Sequence, residues 1–192
     1  AVDMSERVFL DTYLPPYKAA IDAGAMSVMT SFNEYDGVPA TGSKYLLTEL
    51  LREKLGFKGL VVTDYTSINE MVHHGVAKDD AEAGLLAINA GVDMDMQGEV
   101  YFKYLKKQVE EGLVKESQID DAVRRILKIK FKLGLFDDPY RYCNEEREKR
   151  LVYAPEHLEA ALDAAKKSMV LLKNDNQALP LKKGEKVAVI GE

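Results

Sequence analysis

The chain has 192 residues, 46% of them hydrophobic and 30% charged, the profile of a globular protein of one domain or one and a half. Lys and Arg number 26 against 32 Asp and Glu, and the resulting charge of -6 argues against a nucleic-acid partner. No stretch approaches the ~18 consecutive apolar residues of a membrane span, and the lone Cys143 excludes an internal disulfide and a cysteine-built metal site.

Met4 to Tyr13 predicts a short helix ended by Pro15 and Pro16, and a second helical stretch runs from Pro16 to Ala23. Ala25 to Phe32 is an apolar run of the kind a buried parallel strand shows. Residues 33–42, with Asp36-Gly37 and Pro39, read as a loop. In Ser43–Leu55, Leu46, Leu47, Leu50, Leu51 and Leu55 form one helical stripe, and Gly56 stops it. Leu60–Thr63 predicts a second strand, Asp79–Ala90 a helix, Val92–Met96 a third strand and Glu99–Glu111 an amphipathic helix. Ser117–Leu133 carries the broadest apolar face, ended by Gly134.

This alternation predicts an α/β fold in which a parallel sheet is built from βα units. It covers residues 1–135, after which the character changes. Residues 136–154 are polar, charged and proline-marked, and read as a linker. Residues 155–192 open a second domain, with a helix from Pro155 to Lys167 and strands at Met169–Leu172 and Val187–Ile190. The last strand, followed by Gly191-Glu192, has no second glycine to support a dinucleotide site, and no cofactor is expected. Three strands and the start of something else make a poor self-contained fold, so the chain is expected to be cut at both ends.

Asp64 stands at the carboxyl end of the apolar strand LVVT. Ligands of βα sheets sit at those ends, whether the sheet is open or closed into a barrel. Asp64 is therefore placed either to meet a reacting centre or, equally on position alone, to cap the following helix through backbone N–H groups near Ser67. His73-His74 offers little as a metal pair, because neighbours on a helix point ~100° apart; no metal site is expected.

The flanking residues decide between the two readings of Asp64. The segment GFKGLVVTDY, Gly56 to Tyr65, resembles the nucleophile segment of family 3 glycoside hydrolases. Tyr13-Leu14-Pro15-Pro16-Tyr17-Lys18 with Ala23-Gly24-Ala25 is similar to that family's approach to the preceding strand. Val28 to Asn33 with Asp36-Gly37-Val38-Pro39-Ala40 resembles the next strand and its substrate-side loop, and Ala90-Gly91-Val92-Asp93-Met94 the last barrel strand. Gly134 to Pro139 matches the exit from the barrel, Ser168 to Asn174 and Leu179-Pro180-Leu181 the opening of a second domain, and Val187 to Gly191 its first central strand. These motifs run in family order over essentially the whole chain.

The resemblance implies the C-terminal part of a (β/α)8-type barrel, then a linker and the first strands of an α/β sandwich domain. It implies a retaining, exo-acting hydrolase of β-glucosides, with a β-xylosidase or a non-catalytic carbohydrate-binding relative as alternatives. An unrelated phosphate-binding βα protein would need a Gly-rich turn at a helix start, which is missing from the sequence. Asp64 carries over as the nucleophile, and Tyr65, Met29 and Phe32 as residues that line the sugar site. Phe32 stands where the family commonly has a Tyr, and it cannot donate a hydrogen bond to Asp64. The acid/base is expected beyond this chain, with Glu34, Glu70 and Glu192 read as surface residues. The pattern leaves open which of Asp93 and Asp95 reaches the carboxyl-end rim and which pairs within the wall. The implied partners are a β-linked glycoside and the remainder of the same polypeptide, and the implied location is periplasmic or secreted, with a cytoplasmic one as the alternative.

Overall fold

Two short parallel strands flanked by helices organise the chain in a computed structural model that describes residues 2–191. β1 (Ser27–Met29) pairs with β4 (Leu60–Val62) in the register Ser27↔Leu60, Val28↔Val61 and Met29↔Val62. The third strand expected at Val92–Met96 contracts to one parallel bridge, Val62↔Met94. Between β1 and β4, the loop expected at residues 33–42 contains a hairpin of β2 (Glu34–Tyr35) and β3 (Val38–Pro39). Asp36 and Gly37 both hold positive φ, 53° and 75°, as a tight two-residue hairpin turn requires.

The prolines near the amino end do not stop the helix. α1 (Glu6–Val8), capped by Ser5, passes through a π-helical turn at Phe9–Tyr13 into α2 (Leu14–Asp22). Pro15 and Pro16 fall in the first turn of α2, where a missing N–H costs little, and the widened turn accommodates their rings. The leucine stripe winds as a second π-helix, Tyr45–Lys54, which buries Leu47, Leu50 and Leu51. The next close approach explains a glycine. A Cβ on Gly59 would collide with the Met26 carbonyl and the Phe57 ring.

α3 (Ser67–His73), α4 (Asp80–Ala90), α5 (Val100–Glu110) and α6 (Glu116–Lys132) complete this part. Asp79 starts α4 by accepting from the Glu82 N–H at 2.9 Å. One face of the sheet is covered: Val61, Ile68, Met71 and Val92 are fully buried, and small Ala83 and Ala87 let α4 approach closely. Each fully buried aliphatic side chain of this kind stabilises by ~1.5–3 kcal/mol. Met29 and Met94, on the opposite face, are 50% and 44% exposed.

The chain forms two compact units, Ala1–Arg141 and Tyr142–Glu192. The second holds α7 (Glu145–Leu151) and α8 (Pro155–Ser168). α7 lies inside the stretch read as linker. Its signals are local: Asn144 accepts from the Arg147 N–H at 2.7 Å, acidic residues fill the first turn and basic ones the last. The strands expected at Met169–Leu172 and Val187–Ile190 do not form among the described residues. A strand needs a neighbour for its N–H and C=O groups, and nothing pairs there; Leu172 is 90% exposed and Val189 96%.

One buried charge ties the first unit together. Asp93 accepts from Arg52 and Arg125 at 2.7 Å each, and from the Val61 N–H at 2.8 Å. Arg52 also donates to the carbonyls of Gly59 and Gly91. Burial lowers the Arg52 pKa, and the facing Asp93 opposes that shift. Removing Asp93 leaves both guanidiniums without their counter-ion and one strand N–H without its acceptor. Asp93→Ala should therefore cost about 3–5 kcal/mol of stability, measured by urea denaturation. The exposed pair Asp163–Lys167 supplies the control, since Asp163→Ala should leave the urea midpoint unchanged.

Candidate active site

The carboxyl ends of β1 and β4 point the same way because the strands are parallel. The Thr30 N–H donates to the Val62 carbonyl at 2.9 Å, and the Thr63 N–H to the Met94 carbonyl at 3.0 Å. Asp64 follows at once, half-buried, with Oδ1 accepting from its neighbour's N–H, that of Tyr65, at 2.6 Å. Its backbone carbonyl accepts from the Ser67 N–H at 3.2 Å. The cap position of α3 is Thr66, in the left-handed region at φ 57°, with no side-chain capping bond. The Asp64 carboxylate is thus not spent on the helix.

Four buried hydroxyls brace this turn. Thr41 Oγ1 lies 2.8 Å from Thr30 Oγ1 and 3.0 Å from Ser67 Oγ, which links the two loops and the start of α3. Thr63 Oγ1 accepts from the Met96 N–H at 2.7 Å, and the Thr66 N–H reaches the Met96 carbonyl at 2.9 Å. The sequence reading singled out none of these. The available signal was a Thr directly after β1 and after β4, where short polar side chains replace lost backbone partners, while Thr41 and Ser67 carry no such mark.

Tyr65 is 58% exposed in the same turn. Met29 pairs in register with Val62, two residues before Asp64, and Phe32 sits half-buried in the bend that follows β1. Met29 is thus the last residue of β1, and Phe32, Asp64 and Tyr65 follow the carboxyl ends of β1 and β4. Asp93 turns to the buried ion cluster and Asp95 to the start of α5, where Oδ2 accepts from the Val100 and Tyr101 N–H groups at 2.7 and 3.2 Å. Glu34, read as a surface residue, is instead half-buried against His74, with Oε1 at 2.5 Å from Nδ1. Glu70 is half-buried, His73 is exposed and Glu192 lies outside the described residues. Among those residues no three His, Cys, Asp or Glu side chains gather as a metal set. A largely apolar groove of about 430 Å³ runs along Phe9, Tyr13, Val28, Leu47 and Leu51 and reaches Met29 and Thr30. It does not include Asp64.

Residues 1–129 match the family model for the glycosyl hydrolase family 3 N terminal domain. The chain belongs to glycoside hydrolase family 3. It is 42% identical to the periplasmic beta-glucosidase of Salmonella typhimurium, across 99% of this chain and 25% of that protein. It is 38% identical to a beta-xylosidase of Formosa agariphila, across 98% of this chain and 27% of that one. A solved beta-glucosidase from Listeria innocua in complex with glucose superposes with a TM-score of 0.79 at 42% identity, covering 94% of this chain and 24% of that chain. The chain therefore spans about a quarter of the length of these family 3 relatives. An α/β fold is shared with them.

The hydroxyl cluster makes a testable demand of the site. Thr41→Val keeps the shape but leaves the Thr30 and Ser67 hydroxyls short of a partner. It should cost about 1–3 kcal/mol in stability, measured by thermal unfolding, with activity falling further than Tm alone explains.

Proposed function

We propose that this chain is the nucleophile-bearing part of a retaining, exo-acting β-glucosidase, with β-xylosidase activity as the second reading. The observation that carries it is Asp64: a half-buried carboxylate at a parallel-strand terminus, left free by the helix that follows. In a retaining hydrolase such a carboxylate attacks the anomeric carbon and forms a glycosyl-enzyme. A second carboxyl protonates the departing oxygen and then activates water. Asp suits the attack because its short side chain, fixed by the turn, stays near the reacting position. The beta-xylosidase among the relatives keeps the second reading alongside the first.

In this reading residues 1–135 belong to the C-terminal part of a (β/α)8-type barrel, 136–154 to a linker and 155–192 to the opening of an α/β sandwich domain. The remainder of the polypeptide supplies the missing strands, the acid/base and the grip on the sugar hydroxyls. Tyr65, Met29 and Phe32 line the sugar site, with Tyr65 as an aromatic wall. A periplasmic or secreted location agrees with the name of the Salmonella relative. Among the described residues no helix is long and apolar enough to cross a membrane.

In the complete enzyme, Asp64→Ala should lower turnover by several orders of magnitude without unfolding the protein. Azide should restore part of it and give a product of inverted configuration, because the cavity and the acid both survive. Near-wild-type turnover would remove Asp64 from the role.

Tyr65 should act through its ring. Tyr65→Phe should be mild, while Tyr65→Ala should cost about 1–3 kcal/mol in transition-state binding, read from kcat/KM. Equal, small effects of both changes would place Tyr65 away from the substrate.

A further inference from the structure

The turn that carries Asp64 has a neighbour that the reaction scheme leaves unused. Beyond the Val62↔Met94 bridge the chain runs beside residues 63–66, joined to them by the two hydrogen bonds at Met96. The next residue, Gln97, is exposed and holds φ at 65°; Glu99 holds 56°. Neither is glycine, and left-handed backbone costs such residues about 1–2 kcal/mol each. Strain of this kind persists only where the surroundings over-determine the backbone, and it gathers at functional sites.

The surroundings here are specific. Asp95 Oδ2 holds the Val100 and Tyr101 N–H groups on one side of the loop. Asn69 Nδ2, from α3, reaches Asp80 at 3.2 Å and the Gly98 carbonyl at 3.5 Å. Gly98 is seated so tightly that an added Cβ would lie 2.5 Å from Asp95 Oδ1 and 2.6 Å from Asn69 Oδ1. The loop is thus locked from behind while Gln97 stands in solvent, one residue past the carbonyl that holds Thr66.

We propose that Gln97 is a specificity-determining residue, whose side-chain amide hydrogen-bonds a hydroxyl of the sugar on the leaving-group side of the scissile bond. This rests on Asp64 being the nucleophile. An exo-acting enzyme takes the terminal sugar inward to the half-buried carboxylate, so the leaving sugar extends past the exposed rim where Tyr65 and Gln97 stand. A primary amide offers both a donor and an acceptor, matching a sugar hydroxyl, and being already solvated it loses nothing when the site is empty.

The test compares two substrates in the complete enzyme: a β-linked disaccharide it cleaves, and an aryl β-glycoside of the same terminal sugar, whose leaving group has no sugar hydroxyls. Gln97→Ala should raise KM for the disaccharide about tenfold, the scale of one lost hydrogen bond, and change the aryl substrate less than twofold. Equal effects on both substrates, or no effect of Gln97→Ala on either, would overturn the inference. Asp64→Ala separates the two failures: an active Asp64→Ala enzyme defeats the nucleophile reading, whereas an inactive one with no Gln97 split defeats only this one.

Discussion

The ladder on β4 is the constraint on which the rest depends. Its backbone is held on one side by β1 and on the other at Met94, so the segments that follow all three leave the sheet in one direction. Parallel pairing has this consequence by geometry alone, and it is why ligands of such sheets collect at the carboxyl ends. Three hydrogen bonds spaced along Val62, Thr63 and Thr66 carry the register past the end of the strand and into the turn around Asp64. A shift by one residue would turn Met29 and Val62 to the helix side and disrupt the whole rim.

Polar groups fix this region at both levels. On the wall side, Asp93 is a buried charge satisfied from three directions, holding the Tyr45–Lys54 helix and α6 to the strand. At the rim, neutral hydroxyls carry the same burden at lower desolvation cost, through Thr30, Thr41, Thr63 and Ser67. Apolar burial alone does not fix the placement of single atoms, because it is non-directional. Directional bonds to single atoms do, and here they converge on residues immediately before and after Asp64.

This division of labour fits the role proposed for Asp64. A nucleophile must sit within a few tenths of an ångström of its productive position, and the barrier is sensitive to small misplacement. The α3 helix begins with a left-handed Thr66 and no side-chain cap, a locally costly arrangement in which the Asp64 carboxylate bonds the Tyr65 N–H and not the helix. The same tolerance of local strain recurs at Gln97 and Glu99, on the neighbouring loop. Both departures lie at the rim, while α4, on the wall, starts with an ordinary Asp79 cap.

The sequence by itself determined what periodicity and short motifs encode. The parallel α/β character, the strand at Leu60–Thr63, the helices from Asp79 to Leu133 and family membership were legible, because alternation, caps and the GFKGLVVTDY segment are local. It also put Asp64 at a strand end, while Tyr65, Met29 and Phe32 entered only through the family resemblance. Only the tertiary structure decided the partners. Whether Val92–Met96 is a strand or a single bridge, and whether Met169–Leu172 pairs at all, depends on neighbours distant in the chain or not available in it. That Asp93 meets two arginines 41 and 32 residues away, that Glu34 meets His74, and that Thr41 joins Thr30 to Ser67 are likewise facts of three-dimensional proximity. Hydrogen bonds of that range leave no period in the sequence, since each needs one residue at one place and nothing repeated around it.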